Sequence, residues 1–233
     1  MINKIALLLV LFLVSLSGYC QGNTDFQSRF ITSVDYKLNK KWKFASEYRY
    51  SLENDLQKFR SSSIQLETKY SLTKKLELSG GYRFTTSYVE DNHRFFVAVG
   101  YDYNLNKNFA IQLASKYQFS TNSFDPDFMN EFKEPVKMIR QKVGLEFNVP
   151  KSKLAFNTSA ELFLKIDNQP YFKFNRMRYT VGTDYNFKKY GKFGISVFYD
   201  NKYNPMKDDR IVLVTKYSFS IHDFFKKDKS NTI

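Results

Sequence analysis

The sequence predicts an all-β protein: an antiparallel up-and-down transmembrane β-barrel of roughly 10–12 strands that follows an N-terminal signal peptide. Two observations carry this prediction. A motif of an aromatic, a polar and an apolar residue recurs six times, and behind each copy apolar and polar residues alternate over a long segment. Alternation puts apolar side chains on one face of a strand, and a closed barrel can turn that face to lipid without leaving an unpaired edge. The copies are Tyr36–Leu38, Tyr70–Leu72, Tyr103–Leu105, Phe147–Val149, Tyr185–Phe187 and Tyr217–Phe219.

Residues 1–20 are typical of a secretory signal peptide. Lys4 supplies the positive charge, Ile5 to Leu16 is almost wholly apolar, and small residues at 18 and 20 precede a cleavage point. We therefore expect two parts, a signal peptide over 1–20 and an outer-membrane β-barrel domain with a basic C-terminal tail over 21–233. An uncleaved anchor and a lipid-modified Cys20 are the alternatives.

The alternating segments predict eleven strands, each long enough to cross a bilayer when tilted, which takes about 9–11 residues. The first five motif copies lead into short turns rich in Lys and Asn, and the connections at the opposite ends are longer. Outer-membrane barrels keep short turns in the periplasm. The predicted strands are 26–38, 42–53, 59–72, 76–88, 94–105, 109–119, 138–149, 154–167, 174–187, 192–203 and 210–221.

The strand count leaves the closure of the barrel open. Six motif copies imply six strands that descend to the periplasm, whereas we find five that ascend. Bacterial single-chain barrels normally have an even count. Either one boundary differs, or the N-terminus returns through the lumen, or the closure is unusual.

Aromatic residues are unusually frequent, with 17 Tyr and 24 Phe in 233 residues. Such rings are favoured where a bilayer meets water. The repeated motif therefore predicts an aromatic girdle at the turn end of the barrel, with a core layer of a soluble β-sandwich as the alternative. The predicted girdle residues are Tyr36, Trp42, Tyr70, Tyr103, Tyr185 and Tyr217.

The inward positions carry charges of both signs in similar numbers. Because an unpaired buried charge is costly, we expect them to pair across strands and to fill much of a narrow lumen. The alternative is a polar path for a small solute, for which one sign in excess would be expected. The predicted lumen network contains Arg49, Glu47, Arg83, Glu77, Asp102, Arg176 and Arg178.

Signals for chemistry are weak. The histidines are His93 and His222, and His93 follows Glu90 and Asp91 in a predicted outer loop. The sequence has no metal-ligand spacing and no phosphate-binding loop. We therefore expect no catalytic, cofactor-binding or metal-binding residue, no cofactor and no enzymatic activity, with a rim hydrolase that uses His93 as an alternative.

The net charge of +13 reflects many lysines in turns and in the tail, and secretion disfavours nucleic acid as a partner. The expected partners are membrane lipid and the outer-membrane assembly machinery. We expect a monomer with an unknown ligand, in the outer membrane of a Gram-negative cell.

The chain resembles a family of small bacterial outer-membrane β-barrels grouped as a domain of unknown function. The likeness lies in the opening hairpin from Tyr36 to Trp42, in Glu47–Arg49 and in Gly80–Arg83, and it covers most of 25–220. This resemblance implies a barrel but no activity. Taken together, the expected role is structural or loop-mediated binding around a charged, largely filled lumen. The first alternative is a narrow channel or transporter for a small polar solute.

Overall fold

The computed structural model describes residues 24–124, 134–167, 172–187, 190–202 and 209–221. The predicted signal peptide, His222 and the basic tail lie outside the described residues. The strands are β1 (Asp25–Lys37), β2 (Trp42–Glu53), β3 (Lys58–Ser71), β4 (Leu76–Thr86), β5 (Asp91–Asn104), β6 (Phe109–Phe124), β7 (Val136–Asn148), β8 (Leu154–Ile166), β9 (Phe172–Asn186), β10 (Lys192–Lys202) and β11 (Arg210–Ser220).

The eleven strands close into a barrel, which confirms the predicted fold. Each strand pairs antiparallel with the next, and β1 pairs with β11 in parallel from Asp25–Arg210 to Asp35–Ser220. The parallel pair accounts for the odd count, because the first and last strands both run toward the turns. Most boundaries lie within a few residues of the predicted ones. The clearest differences are β5, which begins at Asp91 rather than 94, and β6, which reaches Phe124 rather than 119.

The polar residues of the short turns close the hairpins by capping backbone N–H groups. The Asn39 side-chain oxygen accepts hydrogen bonds from the N–H groups of Lys41 and Trp42, at 2.8 and 2.9 Å. Asn106 repeats this arrangement with the N–H groups of Asn108 and Phe109. Short polar side chains that bond backbone two or three residues on are a common means of fixing a tight turn. The repeated motif is therefore a repeated hairpin.

The outer face of the barrel is apolar. Leu66, Val97 and Val181 are more than half exposed, and they stand on well-paired central segments of β3, β5 and β9. A soluble protein rarely leaves so many large apolar side chains exposed, and a transmembrane barrel needs such a band. Among the described residues, no helix is long and apolar enough to span a membrane.

A few apolar residues point inward and are buried. Phe96, Phe163 and Phe198 are at most 5% exposed, and Phe198 forms a small cluster with Val212 and Val214 against Ile31. The rest of the interior is mostly polar, and it holds the candidate site.

Candidate functional site: the charged lumen

The lumen contains a cavity of about 1280 Å³. Its wall includes Ser218 and Lys192 beside the turns and Ser87 and Glu90 beside the longer connections. The cavity therefore follows the barrel axis between the two ends.

The charges along this cavity are unevenly distributed. Near the turns, Lys69, Lys142 and Lys192 share the wall with Glu67, Glu77, Glu146 and Asp184, and we call this part the turn half. Farther from the turns, cations predominate on the wall. Arg60 pairs with Glu53 beside the longer connections, and we call nine other cations the arginine belt. Its members are Arg29, Arg49, Arg83, Arg94, Lys116, Arg140, Arg176, Arg178 and Arg210.

Asp200 on β10 is the most deeply buried carboxylate of the belt, with no exposed surface. It accepts hydrogen bonds from Arg178 Nε at 2.5 Å and Nη2 at 2.8 Å, and from Arg210 Nη2 at 2.6 Å. Arg176 Nε lies 3.7 Å away. Three guanidinium groups therefore surround one carboxylate, and this cluster keeps a positive charge.

Two inward phenylalanines order the guanidinium groups of the belt. Arg140 and Arg176 lie over the Phe163 ring, with 4.5 and 4.0 Å between the guanidinium carbon and the ring centroid. Arg178 lies 3.9 Å from the Phe198 centroid. Guanidinium groups are attracted to aromatic faces and lose mobility when they stack there. The belt therefore presents cations that are held in place.

Two further carboxylates pair with belt cations. Glu161 accepts two hydrogen bonds from Arg140, both at 2.9 Å, in the bidentate arrangement that a guanidinium favours. Glu47 pairs with Arg49 and with Lys216, whose Nζ lies 3.1 Å away. Together with Asp200, these residues supply three carboxylates for the nine belt cations and Lys216, so the belt has an excess of positive charge.

Pairing in the turn half is more balanced and more exposed. Lys192 pairs with Asp184 at 3.0 Å, and Lys69 lies 3.5 Å from Glu77 and 3.8 Å from Glu67. Cations and carboxylates there are similar in number, and water reaches most of them.

The structure brings together part of the predicted network. Arg49 and Glu47 form an ion pair, whereas Arg83 donates to the Gln65 side-chain oxygen rather than to a carboxylate. Glu77 pairs with Lys69, and Arg176 and Arg178 both lie at Asp200. Asp102 stands exposed near the turn end of β5, outside the cavity wall. It lies too close to the rim to reach the belt.

Sequence reasoning gave no special role to Asp200 and overlooked Arg94 and Arg210. Asp200 is one of many inward carboxylates, and its central role depends on arginines from two neighbouring strands. Arg94 and Arg210 stood at the first residues of predicted strands. The alternation of inward and outward residues along β5 and β11 places both side chains in the lumen. The sequence pattern could therefore have identified them.

The girdle residues lie near the turns. Trp42 pairs with Tyr70 across β2 and β3, with ring centroids 4.7 Å apart. Tyr36, Tyr103 and Tyr217 are each about two-fifths exposed on the outside of the barrel, and the Tyr185 ring contacts Phe187. Lys75 lies 4.9 Å from the Tyr103 ring centroid. Such a row of amphipathic rings suits a boundary between hydrocarbon and headgroups.

His93 lies at the far end of the barrel from the turns, on the outward face of β5. Its Nδ1 lies 2.6 Å from the Tyr82 hydroxyl and its Nε2 lies 2.7 Å from the Ser123 hydroxyl. These partners differ from Glu90 and Asp91, the neighbours that the sequence suggested. Among the described residues, no group of three His, Cys, Asp or Glu side chains is arranged to hold a metal ion.

These features define a transmembrane β-barrel of the outer-membrane type with a basic lumen. Residues 26–211 match the profile of the family described as "Protein of unknown function (DUF2490)", so the chain belongs to that family. No curated protein matches the chain.

Solved structures share the architecture at low sequence identity. A bacterial polysaccharide outer membrane secretin is 11% identical with a TM-score of 0.52, over 77% of this chain and 64% of that chain. A NanC porin is 11% identical with a TM-score of 0.48, over 75% and 86%. A KdgM porin is 12% identical with a TM-score of 0.46, over 76% and 91%. At these identities the secretin likeness concerns the fold alone, and the two porin likenesses are weaker.

Proposed function

We propose that this protein is a narrow channel for small anionic solutes in the bacterial outer membrane. The observation that carries the proposal is the axial cavity, whose middle is lined by the nine cations of the arginine belt, only some of which contact a carboxylate. A lumen wall with one sign in excess raises the local concentration of ions of opposite charge. The cavity and this excess favour the channel over a filled lumen of purely structural role.

Single-channel recording tests the proposal. The purified barrel is inserted into a planar bilayer that separates two KCl solutions of different concentration, and the reversal potential is measured. We expect steady conductance and a reversal potential whose sign indicates preference for chloride over potassium. A silent barrel would favour the structural role, and preference for potassium would contradict the assignment of charge.

The location and partners follow from the same proposal. We infer that the barrel is a monomer, that the assembly machinery inserts it into the outer membrane, and that lipid contacts its apolar face. We propose no cofactor, no nucleic-acid partner and no catalysis. Fractionation and a gel-mobility shift on heating test this, because a closed barrel migrates differently before and after unfolding. Recovery of the protein in the soluble periplasm would contradict it.

A hydrolase remains the second candidate because His93 contacts a hydroxyl through each ring nitrogen. Catalysis needs His93 Nε2 free to accept the Ser123 proton. Tyr82 is a better proton donor than acceptor at neutral pH, and its donation to Nδ1 leaves the proton on Nε2. This tautomer does not activate serine, so the channel is the primary proposal. Labelling by a fluorophosphonate probe that disappears in Ser123→Ala and in His93→Ala would favour the hydrolase.

A further inference from the structure

Two pairs of like charges face each other directly on the lumen wall. Arg83 on β4 is the register partner of Arg94 on β5, and Lys116 on β6 is the register partner of Arg140 on β7. Like charges directly opposite one another on a sheet repel and destabilise it. The two pairs lie on four adjacent strands, with Lys116 opposite Ala98, four residues along β5 from Arg94.

Arg140 has a direct carboxylate partner, whereas the direct contacts of the other three cations are with neutral groups. Arg140 is neutralised by Glu161 at 2.8 Å. Arg83 donates to the Gln65 side-chain oxygen at 2.8 Å, and Arg94 donates to the Ser120 hydroxyl at 3.2 Å. Lys116 Nζ lies 4.3 Å from the Phe96 ring centroid. Each of these three partners is neutral.

A third pair of like charges, near the turns, has carboxylate partners instead of neutral ones. Lys43 on β2 is the register partner of Lys69 on β3, which is a third pair of like charges. Lys43 lies 3.0 Å from Asp35, and Lys69 has both Glu67 and Glu77 as neighbours. Here carboxylates of the chain itself compensate the cations.

We propose that Arg83, Arg94 and Lys116 form a binding subsite for an oxyanion, namely a carboxylate or phosphate group of a small solute. The subsite rests on the proposed channel, since the cavity supplies its access. Guanidinium groups match the two oxygens of a carboxylate or phosphate with two parallel hydrogen bonds. Gln65 and Ser120 are 6% exposed, so the two arginines are held by buried neighbours and keep donors free for a ligand.

The subsite predicts different effects of one substitution on two measurements. Arg83→Gln and Arg94→Gln each remove one partner of a repelling pair, which offsets the lost hydrogen bond to Gln65 or Ser120, so the ligand-free barrel should change little in stability. The same changes remove a donor to the oxyanion, so stabilisation by the ligand should be lost. A structural role alone would destabilise the ligand-free barrel and would give no dependence on an anion.

The experiment measures the midpoint of heat unfolding in an uncharged detergent with citrate, inorganic phosphate or chloride at equal ionic strength. We expect the wild-type midpoint to rise saturably with citrate or phosphate relative to chloride, and we expect this rise to be absent in Arg83→Gln and Arg94→Gln. Lys116→Gln provides a third variant if either arginine change prevents folding. Lys69→Gln in the turn half is the matched control, and it should keep the rise.

The outcomes separate the subsite from the channel. A rise with citrate alone assigns a carboxylate ligand, and a rise with phosphate alone assigns a phosphate ligand. A wild-type protein that responds to neither, or variants that respond like wild type, would overturn the subsite. If the barrel does not conduct but its unfolding midpoint rises saturably with the anion, the subsite is supported and the channel is rejected. If the barrel conducts but its unfolding midpoint does not respond to the anion, the channel is supported and the subsite is rejected.

Discussion

The two parts of the lumen use charge in different ways. In the turn half, lysines and carboxylates are similar in number and form partly exposed pairs such as Lys192–Asp184. In the arginine belt, cations outnumber the carboxylates that contact them, and the ion pairs are more deeply buried. Ion pairs that are balanced in charge and open to water contribute little to the free energy of unfolding, and they favour neither cations nor anions. In the belt, repulsion between cations lowers the stability of the fold, and the excess positive charge attracts anions. This combination is typical of a functional site.

The comparison is tested most strongly by one substitution made in both parts. Asp200→Asn leaves Arg178 and Arg210 without their carboxylate, and breaking a buried ion pair costs about 3–5 kcal/mol. Asp184→Asn removes a partly exposed pair and should cost at most about 1 kcal/mol. The free energy of unfolding from a urea titration in lipid vesicles measures both. Similar losses would show that burial does not distinguish the two parts.

Substitution of Phe163, the ring over which Arg140 and Arg176 lie, has a somewhat smaller expected effect. Phe163→Ala removes a ring that is 1% exposed and should cost about 3 kcal/mol through the cavity it leaves. Phe163→Leu keeps an apolar side chain but loses the aromatic face under Arg140 and Arg176, and should cost about 1–2 kcal/mol. The same titration measures both variants. If Leu proved as costly as Ala, the aromatic face would dominate over volume.

Measurements of ion selectivity test the difference in charge between the arginine belt and the turn half independently of protein stability. Arg29 has no carboxylate partner among the described residues and donates to the Ser51 hydroxyl at 3.4 Å. Arg29→Gln should therefore lower the preference for chloride over potassium several-fold in reversal-potential measurements. Lys192→Gln in the turn half should leave that preference close to wild type. The reverse pattern would place the selective region at the turns.

The smallest effect is expected at the rim. Lys43 and Asp35 form an ion pair at 3.0 Å, with side chains that are 40% and 27% exposed. Lys43→Gln should change the free energy of unfolding by less than about 1 kcal/mol, because exposed pairs are screened by water and salt. A larger loss in the vesicle titration would mean that the turn half is more tightly coupled than its exposure indicates.

Much of the fold was predictable from the sequence because strand parity and turn chemistry are local. Asn39 and Asn106 marked hairpins, and the alternation around Val97 and Phe96 separated the two faces. The parallel pairing of β1 with β11 was not predictable, since it depends on how the ends of the sheet meet.

The candidate site was predictable only in part. Inward parity identified Arg49, Arg83 and Arg178, but a balance of charge over the whole lumen concealed their segregation along its axis. The partners of each arginine depend on register and tilt between strands. Asp200 therefore emerged as a centre only when β9, β10 and β11 were placed side by side.

The parallel pair of β1 and β11 also sets the sidedness of the protein. Asp25 begins β1 at the end of the barrel away from the turns, and Ser220 ends β11 at the turn end. A barrel with an even number of strands has both ends of its wall on the same side, whereas this one has them on opposite sides. If the turns lie in the periplasm, as the sequence predicts, the N-terminal end of the wall faces the cell exterior. A peptide tag placed before Asp25 should therefore be accessible to antibody on intact cells, and a tag placed after residue 221 should require permeabilised cells.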